Sequence, residues 1–228
     1  MNTMSKGEVA RRQLLDTAME LFAEHGVAGT TTRMIAKASG QNIGAIAYYF
    51  QSKEGLYQTV IETVAARINA VFITLLDEIN DQLENHLLDD DPMRCLSYIK
   101  QVIRQFCYML SDPNTLNISK LLFREQLSPT DVFQTVQVQA LLPIHKALSA
   151  LVSLYSGLPK DSLPVLLHSH AILGEVLAFR AGRETILLRT GWKEITEKEA
   201  VLITETLIEH LDFIMNGLRA KYSLAVIN

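Results

Sequence analysis

Residues 30–53 read TTTRMIAKASGQNIGAIAYYFQSK, and their spacing predicts two short helices around a glycine turn. The first spans about Thr32 to Ser39, and Thr31 supplies a hydroxyl that accepts from its unpaired N-terminal amides. Gly40 stands where the chain leaves that helix in the left-handed conformation that a residue without Cβ adopts at little cost. Asn42 is placed to cap the next helix, which runs to about Phe50. Ile35, Ile46 and Phe50 form the shared apolar face, and Ala36 and Ala45 are small enough for a close crossing.

The flanks extend this pattern. Glu8 to Gly26 reads as one amphipathic helix with Leu14, Leu15, Ala18, Leu21 and Phe22 on one side, stopped at His25-Gly26. Ser52 caps a long downstream helix whose first turn carries Glu54. Three helices in this order match a helix-turn-helix head, whose last helix enters the DNA major groove. Any helical hairpin has such a turn, but it does not have these flanks.

The chain has 228 residues, 48% of them hydrophobic, and six prolines, so it buries a core. Cys95 and Cys107 lie twelve residues apart on one expected helix, more than three turns, and cannot bridge. They read as small apolar fillers. No uninterrupted apolar run approaches the roughly 20 residues that span a bilayer. The N-terminal stretch MNTMSKGEVARRQ has no apolar signal core, so a cytoplasmic location and no membrane partner are expected. The net charge of −4 is unevenly spread: residues 1–56 hold six basic and five acidic side chains, against 15 and 20 in the remainder. Arg11, Arg12, Arg33 and Lys53 sit at or near helix starts, where they can converge on phosphates. The acidic remainder confines nucleic-acid contact to the head.

The run LLDTAMELFAEHGVAGTTTRMIAKASG, followed by AIAYYFQSKEGLY, resembles the N-terminal domain of the TetR family of bacterial transcription regulators, without a gap over about residues 10–60. NISKLLFREQLSPT at 117–130 and GRETILLRTGW at 182–192 resemble the CecR-like subgroup of that family. The resemblance implies an all-α fold of about nine helices. A three-helix helix-turn-helix DNA-binding head (1–56) would sit on a larger C-terminal helical ligand-binding and dimerisation domain (57–228). It places DNA contacts on Thr32, Arg33, Asn42, Ile43, Gly44, Ala45, Ala47, Tyr48, Tyr49 and Lys53. Ala47 stands where many relatives carry an aromatic residue, Tyr49 where many carry histidine, and Gln41 where an apolar residue is usual. From spacing, the outward side of the second motif helix carries Ile43, Gly44, Ala47 and Tyr48. Tyr48 and Tyr49 can offer hydroxyls to phosphates or a ring to thymine methyls, and Tyr49 can equally pack against the first helix.

Beyond Tyr57 the pattern stays helical. Helix 4 is expected to end near Leu83, and helix 5 to run from the DDDP break at 89–92 to about Leu110. A turn at Asp112-Pro113-Asn114 precedes a short helix to Gln126. Ser128-Pro129 opens a long helix from about Thr130 to Tyr155. The last two helices, 8 and 9, span about Asp161 to Arg180 and Glu197 to Lys221. Helix 8 is apolar around most of its circumference, which suits a central helix or one buried against a partner. The resemblance implies that these two helices pair across a two-fold axis, giving a homodimer whose heads meet a palindromic double-stranded DNA operator. The intervening Arg180, Arg183, Arg189 and Trp192 read as a loop that either bridges to the partner or closes on an anion.

The resemblance also implies a small-molecule effector held in the C-terminal domain. Phe106, Met109, Phe123, Arg124, His145 and His168 are candidates for it, with Cys107, Tyr108, Glu125 and His170 behind them; each also fits plain packing. His168 and His170 point about 200° apart on a helix and do not converge on one ion. H-E-x-x-H, G-x-S-x-G and P-loop patterns are absent from the sequence, so no enzyme, metal or cofactor is expected. Repression is the simplest outcome of occupying a promoter, and the subgroup suggests targets in transport or drug tolerance. A helical adaptor using its head for protein contacts is the alternative, but it leaves Arg33, Tyr48 and Lys53 unexplained.

Overall fold

Capping side chains and glycines decide where these helices begin and end. Ser5 and Glu8 form a reciprocal box: the Glu8 amide donates to Ser5 Oγ (3.2 Å) and the Ser5 amide to Glu8 Oε2 (2.7 Å). Those bonds hold the Glu8 carboxyl below its ordinary range. The helix therefore opens at Lys6, earlier than expected. The computed structural model describes residues 5–112 and 115–223, and among these the chain forms ten helices and no strand. They are α1 (Lys6–Gly29), α2 (Thr32–Ser39), α3 (Ile43–Phe50), α4 (Lys53–Glu84), α5 (Pro92–Ser111), α6 (Thr115–Leu127), α7 (Phe133–Ser156), α8 (Leu163–Ala181), α9 (Arg183–Thr190) and α10 (Glu197–Ser223). The expected turn at 112–114 falls mostly on residues 113 and 114, outside the described residues.

Three features differ from the expectation. The stretch around Gly182 to Trp192 is not a loop but the added helix α9. The Ile186 amide donates to Gly182 O (3.1 Å), and Gly191 ends the helix in the left-handed region at φ 74°. The long helix opens at Phe133 rather than Thr130, because Thr130 is engaged elsewhere: its amide donates to Glu125 Oε2 (3.0 Å). Within α7, Gln137–Leu141 forms a π-helical turn. Pro143 has no amide for the carbonyl at Gln139 and would clash with it, and the wider turn sits there.

The chain divides into two compact units. The first holds α1, α2, α3, α4 as far as Ile68, α6 and the chain up to Ala140; Leu14, Phe22, Ile35, Ile46, Leu56 and Leu121 are its buried core. The second holds the rest of α4, α5, α7 from Leu141, and α8 to α10, around Phe72, Ile99, Leu148, Leu151, Val152 and Met215. In this unit Lys100 pairs with Asp212 at 2.6 Å and the Tyr155 hydroxyl donates to Asn216 at 2.8 Å, tying α5 and α7 to α10. Cys95 and Cys107 are buried here, and burial pushes the Cys95 thiol up to about 11.

Among the described residues two helices, α4 and α7, are long and apolar enough to cross a bilayer by length and composition, although polar residues interrupt both. Both carry buried faces, with Val60, Ile61, Val64 and Phe72 on α4 and Leu148, Leu151 and Val152 on α7. Core helices pass the same test.

Candidate nucleic-acid interface

The α2–α3 corner is built by short-range bonds. The Met34 amide donates to Thr31 Oγ1 (3.2 Å) and the Ala45 amide to Asn42 Oδ1 (3.2 Å), so both helices are capped from within four residues. Gly40 turns between them at φ 68°, ψ 17°. Ile35, Ile46 and Phe50 are buried under the corner. This orientation leaves Ile43, Gly44, Ala47 and Tyr48 exposed along the outer side of α3, the four that spacing indicated. Tyr48 is 81% exposed, its ring resting edge-on against Tyr49 at 4.9 Å. Ala45 and Thr32 are half-buried at the edges of this surface, and Arg33 projects from α2 into solvent.

Behind the reading helix, α1 has a broken C-terminal end. Gly26 leaves helical geometry at φ 72°, ψ 171°, which frees carbonyls that an intact helix would pair. Three side chains collect them. Thr30 Oγ1 donates to Gly26 O (2.8 Å), with Leu21 O 3.2 Å away. Lys53 Nζ donates to Val27 O (2.8 Å) and Thr30 O (3.2 Å). Arg124 of α6 donates from Nε to Ala23 O (3.1 Å) and from Nη2 to Glu24 O (2.6 Å). Cations suit this place, since the partial negative charge of a helix gathers at its C-terminus. The next residue, Glu125, is buried; it accepts from the Tyr57 hydroxyl of α4 and from Thr130. Burial, then the bond to Glu125, pushes the Tyr57 phenol up.

The structure gives several of these side chains partners within the head. Lys53, expected on phosphate, donates two bonds to carbonyls at the end of α1. Arg124, expected near an effector, donates to those at Ala23 and Glu24. Tyr49 is half-buried with its hydroxyl close above Gly7, where an added Cβ would come within 3.2 Å, so it lies against the first turn of α1. Arg11 lies over the Phe50 ring at 5.2 Å and Arg12 beside Asp16 at 3.7 Å. Gln41 donates to Gln13 Oε1 at 2.9 Å, which accounts for a polar residue after the turn glycine. None of these long-range ties carried a sequence signal, apart from the FREQLSPT string that holds Arg124, Glu125 and Thr130.

The remaining effector candidates are divided between the units. Phe123 is half-buried in the first. In the second, Phe106 packs on Phe72 with ring centres 4.6 Å apart, and His145 stacks on His170 at 6.0 Å. Met109 and His168 are half-buried there. A small, water-sized cleft in this unit is lined by Ile103, Ile172, Glu175, Val176, Leu207 and Leu211, among others, and by none of the six candidates. The Glu175 carboxylate lies 3.5 Å from His210 Nδ1.

Comparison with known proteins agrees with this geometry. Residues 14–60 match the model of bacterial regulatory proteins of the tetR family, and residues 97–218 match the C-terminal domain of the HTH-type transcriptional dual regulator CecR. The chain is 40% identical over 216 residues to the CecR regulator of Shigella flexneri, covering 95% of this chain and 96% of that one. It is 25% identical over 165 residues to the regulator TtgR of Pseudomonas putida, covering 71% and 72%. Among solved structures, the hemolysin II regulator HlyIIR shares the fold at a TM-score of 0.58 and 18% identity, over 89% of this chain and 99% of that one. FadR of Bacillus subtilis, solved with stearoyl-CoA, does so at 0.52 and 20%, over 88% and 97%. Matched along almost its whole length by a regulator, and carrying a capped helix-turn-helix with an open outer face, the chain belongs to the TetR family of transcriptional regulators, of the CecR-like type, and is a DNA-binding regulator rather than an enzyme.

Proposed function

We propose that this chain acts as a homodimeric repressor that grips a palindromic operator with two α3 helices and is released by a small molecule. Residues 1–56 make the DNA contacts, and residues 57–228 hold the effector and the dimer seam. The outer face of α3 is the observation that carries this reading: Ile43, Gly44, Ala47 and Tyr48 are exposed on a helix whose other side is locked into a core. Arg33, Thr32 and the Tyr48 hydroxyl are the groups available for phosphate or base edges. Lys53 contributes as the brace of α1. The acidic second unit repels DNA and favours contact through the head alone.

The seam is assigned to α8 and α10. Leu163 (67% exposed) and Leu167 (60%) lie with Leu166 and Leu177 along the outer side of α8, and Leu202 and Phe213 along α10. An apolar face of this length supports burial against a second copy. The effector acts by preferring one spacing of the two heads over the other. The regulator works in the cytoplasm, and the subgroup likeness supports targets in transport or drug tolerance. Footprinting on the DNA flanking the chain's own gene tests the core of this proposal: protection of two half-sites about one helical turn apart is expected. Tyr48→Ala should weaken that footprint at least about tenfold while the helical signal and the dimer persist; unchanged protection would remove α3 from the interface.

A further inference from the structure

In the major groove a protein can read donors, acceptors or the 5-methyl group of thymine. Apart from the Tyr48 hydroxyl at the tip of its ring, the polar side chains around α3 have partners inside the head. Asn42 directs its acceptor oxygen at the Ala45 amide as a helix cap, which fixes the side chain at the start of α3 rather than along its outer face. Gln41 donates to Gln13 of α1, which turns it toward the first helix. Lys53 is held by α1 carbonyls, Arg11 lies over Phe50, and the Tyr49 hydroxyl sits against the first turn of α1. The outward face of α3 is left with Ile43 (49% exposed), Gly44, Ala47 and the Tyr48 ring. Gly44 carries no side chain to hold the helix away from the bases, and an added Cβ there would come 2.9 Å from Asn42 Oδ1.

We infer that the operator is read chiefly through the 5-methyl groups of thymine, with Ile43 as the residue that buries them. This rests on the proposal that α3 lies in the major groove, which the same experiment examines separately. Ile43 stands on the first turn of α3, where recognition helices contact base edges, and its branched side chain matches a methyl group and nothing polar. Arg33, on α2, remains for phosphate or a flanking guanine and does not alter the chemistry of the α3 face.

The test uses the full-length chain and a duplex that it selects from random DNA. That duplex is prepared twice, with thymine and with deoxyuridine at every thymine position; the two forms pair identically and differ only in the methyl groups. Burial of one methyl changes an equilibrium constant by about fourfold, so two symmetric half-sites give about fifteenfold weaker binding of the uracil form. Ile43→Ala should bind both forms within about twofold of each other, and Ile43→Val should fall between; the valine variant decides if the alanine variant binds neither. Equal affinity of the parent for both forms overturns the inference, as does discrimination that survives in both variants. A chain that selects no duplex from the random pool overturns the docking of α3 itself, before either form is made, and the two failures are therefore distinct.

Discussion

Gln51 holds a conformation that few side chains adopt. At φ 68°, ψ −47° it is the centre of a γ-turn in which the Ser52 amide donates to Phe50 O at 2.8 Å. The turn swings the chain from α3 into α4, and the residue carries strain for it. Gln51→Gly should therefore raise stability by about 1 kcal/mol, seen as a higher melting temperature with DNA binding intact. His145 carries a different kind of cost. Burial, and then the charge of His170 stacked on it, hold it below the ordinary 6.5. The unfolded chain takes up this proton more readily than the folded one. Stability is thus whole above pH 6.5 and is lost as the pH falls below it toward the depressed folded value. Denaturation across about pH 7 to 5 should show this fall, and His145→Gln should flatten it.

Among the elements, α1 depends most on distant help. Arg124 reaches it from 101 positions away in sequence. Arg124→Ala leaves the carbonyls of Ala23 and Glu24 without that donor and should cost about 1–2 kcal/mol in thermal or urea unfolding; Arg124→Lys, lacking the fork, should recover only part. The same distance explains what sequence could and could not disclose. Thr31, Gly40 and Asn42 were legible because a cap acts on an amide three residues ahead and a glycine on its own φ. The outer face of α3 was legible because helical periodicity sorts its residues without reference to anything else. Arg124, Lys53 and Gln41 were not, since their partners lie 23 to 101 residues away and nothing local marks which carbonyl or amide is left open. The helix α9 was missed for a plainer reason: arginines and a tryptophan suggested a loop by composition, while the bonds from Gly182 to Gly191 follow ordinary helical spacing.

At the scale of the whole molecule, the proposed homodimer would gain from tying two heads to one palindrome. Leu167→Glu places a charge in the outward apolar side of α8 and should yield a monomer by sedimentation. Its operator affinity should fall by about a hundredfold or more, because the second half-site no longer binds as an intramolecular event. The first compact unit has a consequence of another kind. Its parts come from both ends of a long interval, with α1 to α3 at the front and α6 some 65 residues after α3. A chain emerging from the ribosome has no Arg124 to donate to the carbonyls of Ala23 and Glu24 when residue 56 appears. The DNA-reading end is therefore synthesised first and completed late, after α5 has been made and while the second unit is assembling. A nascent or truncated chain that stops short of α6 has its reading helix on a unit that still lacks one of its parts.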